Sequence, residues 1–207
     1  MRKIIFTLLL SYTFIGFSQN TAIPDSNFEQ ALIDLGIDTN PTIDGQVLTA
    51  NIEGVTYLDV SSKNIADLTG IEGFTALTNL SCNINQLTSI DVSNNTALTV
   101  LKCNSNQLTS LNVSNNTVLT DLRLIDNQLT SLDVSANPAL TRLFCNNNQL
   151  SSLNVRNGNN TDIIIFRAIN NPDLTCIFVD DPAYSSANWP LIDPNSTFVA
   201  NEEECSW

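Results

Sequence analysis

Histidine is absent from all 207 residues. With it go the commonest general base, the Ser–His and Cys–His nucleophile arrangements and most zinc sites. Basic residues are scarce: eight Lys and Arg stand against 21 Asp and Glu, a formal net charge of −13. So few cations cannot assemble the footprint that a nucleic-acid backbone demands, which removes nucleic acid as a partner. Acidity of this size gives solubility and repulsion from anionic surfaces. Phosphate-cradling glycine loops and nucleophile motifs are missing. The carboxylate pairs that exist, Asp180 with Asp181 and Glu202 to Glu204, fall near the C-terminus with no apolar pocket implied to raise a pKa. The sequence therefore predicts no enzyme, no cofactor and no metal.

Long apolar runs are also rare. The single pronounced one, Ile4 to Leu10, follows Arg2 and Lys3 and precedes the small residues Gly16 and Ser18. Its length and flanks read as a secretory signal peptide over residues 1–18 rather than a membrane span. No Cys stands directly after the run, so no lipid anchor is expected at the new N-terminus, and no later segment is apolar enough to cross a bilayer. Residues 19–207 are then expected outside the cell, secreted or at the surface.

What is abundant is repetition. Leu87 to Gln149 recurs every 21 residues, and each unit holds two near-copies of a shorter one. One unit runs Leu87-Thr-Ser-Ile90-Asp-Val92-Ser-Asn-Asn95-Thr-Ala, then Leu98-Thr-Val-Leu101-Lys-Cys103-Asn-Ser-Asn106-Gln. A fixed period of this length marks a solenoid, because one coil alone cannot bury its apolar face. Within each half, apolar-x-apolar has a period of two and reads as a short strand with its apolar side chains inward. The Asn two places later sits at the turn, where its amide suits unpaired backbone groups and its backbone tolerates left-handed dihedrals. Asn85, Asn106, Asn127 and Asn148 form one such column, and Asn95, Asn116 and Asn137 the other. Stacked coils are expected to hold both as structural ladders.

The motif Leu-x-x-Leu-x-Cys-x-x-Asn-x-Leu, at Leu77–Leu87, Leu98–Leu108 and Leu140–Leu150, resembles leucine-rich repeats. The nested half-units are similar to those of secreted bacterial proteins of the Bacteroidetes type. The resemblance implies a mainly β solenoid, a right-handed coil of short parallel strands in two sheets, with a helical cap at the N-terminus and an irregular one at the C-terminus. It also implies that the Leu-x-x-Leu-x-Cys strands line the face where partners dock. It says little about which partner, since this fold serves many. A surface-sorting domain often follows such a cap; with Trp207 as the last residue, the expectation is either release or a longer chain.

The organisation expected is an N-terminal cap over 19–54, a solenoid over 55–179 and a C-terminal cap over 180–207. Pro24-Asp25-Ser26 opens a short helix with Phe28, Leu32 and Leu35 on one face. The following Asp38-Thr-Asn40-Pro-Thr-Ile-Asp44-Gly45 has the flavour of a calcium loop. Its glycine comes two places late and Pro41 interrupts it, so a polar connector is the better reading. Past Val155 the period decays: Gly158 stands where the second column predicts Asn, and Leu174, Ile177 and Val179 arrive 24 residues after Leu150 to Val155. Ile163 to Phe166 reads as a strand.

The five cysteines divide. Cys82, Cys103 and Cys145 share one inward column and read as small buried apolar groups. Adjacent coils leave a Cys82–Cys103 disulfide conceivable, though strained by side chains pointing the same way. Cys176 and Cys205 bracket the C-terminal cap, and an extracellular chain suits a disulfide between them.

Comparing the chain with itself separates two faces. Outward positions of the first half-units barely change: Ser89, Asp91, Ser93; Ser110, Asn112, Ser114; Ser131, Asp133, Ser135; Ser152, Asn154, Arg156. Those of the second half-units change at almost every step. They run Asn79, Ser81, Asn83; Val100, Lys102, Asn104; Asp121, Arg123, Ile125; Arg142, Phe144, Asn146; Ile163, Ile165, Arg167. Mixed Arg, aromatic and aliphatic composition is that of a recognition surface. Lys102, Asp121, Arg123, Ile125, Arg142, Phe144, Asn146 and Arg167 are the candidate binding residues. A protein partner is favoured over a glycan because Phe144 is the only aromatic among them. The aspartates of the other face argue against an ice-ordering hydroxyl array. Nothing suggests more than a monomer.

Overall fold

Antiparallel pairing of β1 (Asn20–Ala22) with β2 (Gln46–Leu48) closes the N-terminal end of the stack, around α1 (Ser26–Asp34) and a single turn, α2 (Thr49–Ile52). These coordinates are a computed structural model that describes residues 19–205; the leader expected over residues 1–18 lies outside the described residues. Helix α1 starts where Asp25 accepts hydrogen bonds from the Asn27 and Phe28 amides, satisfying donors that a first turn leaves free. It ends at Leu35, followed by Gly36 at φ +69°, a left-handed position that favours glycine. Phe28, Ala31 and Leu32 are buried, but Leu35 is 49% exposed. The expectation that Leu35 shares the apolar face is therefore corrected: it is the C-cap residue, one past the end of the helix.

The coils follow as β3 (Tyr57–Asp59), β4 (Asn79–Ser81), β5 (Val100–Lys102), β6 (Asp121–Arg123), β7 (Ser131–Asp133), β8 (Arg142–Phe144), β9 (Ser152–Asn154), β10 (Ile165–Arg167), β11 (Cys176–Phe178), α3 (Pro182–Asn188) and β12 (Thr197–Val199). They build two parallel sheets. One wall has six strands in the order β3-β4-β5-β6-β8-β10, and the opposite wall has four, β7-β9-β11-β12. Register is strict on the longer wall, with Leu58, Leu80, Leu101, Leu122, Leu143 and Phe166 side by side. Leu80, Leu101, Leu122 and Leu143 are fully buried, each worth roughly 1.5–3 kcal/mol of apolar transfer. On the shorter wall, Ser89–Asp91 and Ser110–Asn112 carry the same pattern as β7 but join no sheet. Coils therefore sit in strand contact on both walls only from β7 onward. Strand β12 pairs in register with β11, so the segment after residue 180 adds a strand as well as a helix.

Both asparagine columns tie coil to coil. Asn127 donates to the carbonyls of Cys103 and Leu124 and accepts from the Leu108 amide. Asn85, Asn106 and Asn148 do the equivalent, and Asn171 extends the column. Asn116 donates to Val92 and Asn95 carbonyls, and Asn137 to Val113 and Asn116. The second column differs: the Oδ1 atoms of Asn95, Asn116 and Asn137 are buried with no hydrogen-bond partner. The left-handed residue at the turn is not the column asparagine. It is the residue just before it, Ile84, Ser105, Asp126, Asn147 and Asn170, all near φ +55° to +60°. The amide hydrogen bonds, not backbone tolerance, account for the asparagine. A third ladder has no counterpart in the sequence expectations: the Thr78, Thr99, Thr120 and Thr141 hydroxyls each donate to the carbonyl of the threonine-row residue one coil earlier.

Past Val155 the loop through Asn157-Gly158-Asn159-Asn160 holds two extra residues. Gly158 leaves the second column, and Asn157 takes over its bond to the Asn137 carbonyl. The strand consequently pairs Ile165 with Arg142 and Arg167 with Phe144. Ile163 is buried at 2% exposure, which corrects its expected outward position: it occupies the inward place that Leu140 holds one coil before. The end of the stack is covered by a cluster in which Trp189 stacks on Phe166 at 4.5 Å, with Phe198 edge-on to both. The Trp189 ring nitrogen donates to the Ile163 carbonyl at 3.2 Å. A disulfide joins Cys176 to Cys205.

Candidate functional site

The longer wall presents its outward side chains in rows set by strand register. One row is Asp59, Ser81, Lys102, Arg123, Phe144, Arg167; the next is Tyr57, Asn79, Val100, Asp121, Arg142, Ile165. Ile125 and Asn146 lie just past β6 and β8, two residues beyond Arg123 and Phe144. All eight candidate binding residues thus share one wall. Four of the six basic residues among those described, Lys102, Arg123, Arg142 and Arg167, are here.

Electrostatics organise this wall. Asp121 is only 5% exposed, although its sequence position predicts an outward side chain. Arg123 grips it with Nε on Oδ1 and Nη2 on Oδ2, both at 2.8 Å, and Arg142 approaches Oδ2 at 3.7 Å. A planar two-point contact is the strongest form of guanidinium–carboxylate pairing. The hydrogen bonds to Asp121 raise the Arg123 pKa. The Arg123 guanidinium also lies over the Phe144 ring, 5.0 Å from its centre, and Arg167 lies over the same ring at 5.5 Å. Phe144 is therefore the centre of an arginine–aromatic–arginine cluster spread over β6, β8 and β10. Asn146 Oδ1 is buried and has no partner.

The other wall is polar and repetitive. Asp91 accepts from Ser93 and Asp133 from Ser135, short side-chain turns that shape the corners. The hydrogen bonds from Ser93 lower the Asp91 pKa; at Asp133 burial pushes upward, and the bonds from Ser135 and Asn154 outweigh it. A shallow cleft of about 310 Å³ lies between Ser110–Ser114 and β7, where strand pairing lapses. Arg156 stands on this wall, over Phe178 at 5.0 Å.

Cys82, Cys103 and Cys145 are buried free thiols. Cys82 and Cys103 approach to 3.1 Å between sulfurs without a disulfide. The contact with Cys103, with burial, pushes the Cys82 thiol pKa up, and burial raises that of Cys145 to about 12. Both thiols are buried and stay protonated at neutral pH. In the Asp38–Gly45 connector, Asp38 Oδ1 accepts from the Asn40 amide while its Oδ2 is buried without a partner, Asp44 accepts from the Asn40 side chain, and the buried Glu29 carboxylate of α1 accepts from the Asp44 and Gly45 amides. Among the described residues no group of three or more Cys, Asp or Glu is arranged for a metal. No helix of the described residues is long and apolar enough to cross a membrane.

Parallel strands in two walls, a buried leucine column and asparagine ladders define a leucine-rich repeat solenoid. No protein-family model matches the chain. Over 80 residues it is 42% identical to Internalin J of Listeria monocytogenes serotype 4b, covering 38% of this chain and 8% of that protein. It is similar to the structure of the functional domain of InlJ from Listeria monocytogenes, described as including a cysteine ladder. There the TM-score is 0.69 and the identity 29%, over 91% of this chain and 48% of that one. An internalin C2 from the same species shares the fold, with a TM-score of 0.56 and 18% identity over 88% of both chains. The chain thus spans less than half of the InlJ domain and a small part of whole Internalin J. These relatives lend no support to the Bacteroidetes side of the resemblance.

Proposed function

We propose that this chain is a secreted or surface-displayed, non-enzymatic and monomeric binding module that recognises a protein. Contact runs through Lys102, Asp121, Arg123, Ile125, Arg142, Phe144, Asn146 and Arg167, with 19–54 and 180–207 as caps on the 55–179 solenoid. One observation carries the reading. From Ser89 to Asn154 equivalent outward positions on one wall stay Ser, Asp or Asn from coil to coil, while on the other they turn over at nearly every strand and gather cations, aliphatics and a phenylalanine. Interface hot spots draw on arginine and aromatics held in place by their neighbours, and the Asp121–Arg123–Phe144 arrangement is so held. Secretion rests on the leader pattern and suits the cap disulfide.

The second reading is a glycan-binding adhesion accessory on the same wall. Sugars favour a bare aromatic face, and Phe144 carries guanidiniums over its ring. The test is capture of partners, and a glycan array in parallel, by the wild type beside an Arg123→Glu, Phe144→Ala double variant. The proposal expects protein capture that the double variant loses. Equal capture by both would remove the wall from the function; array binding alone would favour the glycan.

A further inference from the structure

On that reading of the longer wall, we infer that the partner offers an acidic, extended protein segment that lies across the strands, along the row Lys102, Arg123, Phe144, Arg167. These residues stand on the consecutive strands β5, β6, β8 and β10. Three strand steps at about 4.8 Å put Lys102 and Arg167 roughly 14 Å apart. Carboxylates at i and i+4 of an extended chain are about 13 Å apart, which matches the two ends of the row. Both ends are open to a ligand: among the described residues, the ion pairs use Lys63, Arg123 and Arg142, and neither Lys102 nor Arg167. Arg123, by contrast, is fixed by Asp121 and holds Phe144 between itself and Arg167. The middle of the row is thus held in place, and the cations at its ends carry no ion pair among the described residues.

Three features select this occupant. The chain as a whole carries −13, so a broad anionic surface is repelled, whereas a single narrow segment meets only the basic row. Val100 and Ile165 border the row on the same strands, and Ile125 follows Arg123 by two residues. They suit the aliphatic side chains that alternate with acids in a peptide and find no counterpart in a sulfated sugar. The ring of Phe144 lies under guanidiniums, which leaves no bare platform for a sugar face.

The probe is a fluorescein-labelled twelve-residue peptide of Glu-Thr-Val-Thr repeats, which puts Glu and Val alternately on one face of the extended chain. Its Gln-for-Glu counterpart and a heparin oligosaccharide serve as comparisons, and binding is read by anisotropy. The wild type is expected to bind the Glu peptide at least about tenfold more tightly than the Gln peptide. Affinity should fall as NaCl rises from about 50 to 300 mM. Arg167→Glu should weaken binding about tenfold and Arg167→Gln less. Arg156→Glu, on the opposite wall, should leave it unchanged. Melting curves for each variant establish folding. Equal affinity for the Gln peptide, equal loss with Arg156→Glu, tighter binding of the oligosaccharide, or no binding of the Glu peptide at millimolar concentration would each overturn the inference. If a captured partner needs the longer wall but ignores both salt and Arg167→Glu, the acidic segment falls and the wall stands. If it needs neither, both readings fall.

Discussion

Replacing Asn127 by Ala should cost far more stability than replacing Asn116 by Ala, although both are buried asparagines donating to two carbonyls of the stack. The difference lies in what each leaves behind. The two nearer carbonyls that Asn127 serves have second donors, Asn106 to Cys103 and Asn148 to Leu124, and the more distant Ile125 carbonyl at 3.4 Å has the Ser105 amide. The Leu108 amide has only Asn127 Oδ1, at 3.0 Å. Asn127→Ala therefore orphans one buried N–H, at about 1–3 kcal/mol, and loses two hydrogen bonds at about 0.5–1 kcal/mol each, for a total of roughly 3 kcal/mol. The Val92 and Asn95 carbonyls served by Asn116 also keep second donors, the Asn95 and Leu98 amides. No N–H is orphaned, and the mutation removes an Oδ1 that had no partner. The expected cost is about 1 kcal/mol. Urea denaturation followed by circular dichroism, with the same slope for each variant, reads the gap as a difference in midpoint. A cost for Asn116→Ala as large as that for Asn127→Ala would refute the reasoning, because the amide nitrogen would then be the whole of the ladder's worth.

Two further outcomes follow from the cysteines. Cys205→Ser opens a cross-link of sequence separation 29 and should lower stability by about 3–4 kcal/mol; an unchanged urea midpoint after reduction of the wild type would contradict this. The buried Cys145 thiol has its folded pKa raised from 9.0 to about 12. Its contribution is complete below pH ~9 and is lost as pH rises from there toward 12, at about 1.4 kcal/mol per pH unit. Cys145→Val should flatten the alkaline fall in stability, and parallel pH profiles for the two proteins would disprove the cause.

Local spacing made the longer wall legible: the 21-residue period places β4, β5, β6 and β8 and both asparagine columns residue by residue. It failed at Ile163, where the extra residues around Gly158 slide the register by two, because an insertion in a loop leaves no mark on the strand that follows. The lapse in the shorter wall is equally silent. Ser110-Leu-Asn and Ser152-Leu-Asn are the same pattern, yet only the second joins a sheet. Coil spacing there is set by what packs across the stack, not by the three residues themselves. Asp121 was legible as a wall residue but not as a buried one, since its burial comes from two arginines on neighbouring positions of the sheet.

The first asparagine column has a direction. Each amide sits in the later coil and reaches back: Asn106 to the Cys82 carbonyl and Leu87 amide, Asn127 to Cys103 and Leu108, Asn148 to Leu124 and Leu129. A coil is therefore completed by residues translated after it. A chain emerging N-terminus first carries one unfinished coil at its growing tip, whatever its length, and seals it when the next asparagine arrives. On the β10 coil the following segment supplies Asp193 in place of an asparagine, and its carboxylate accepts from the Asn170 and Asn171 amides.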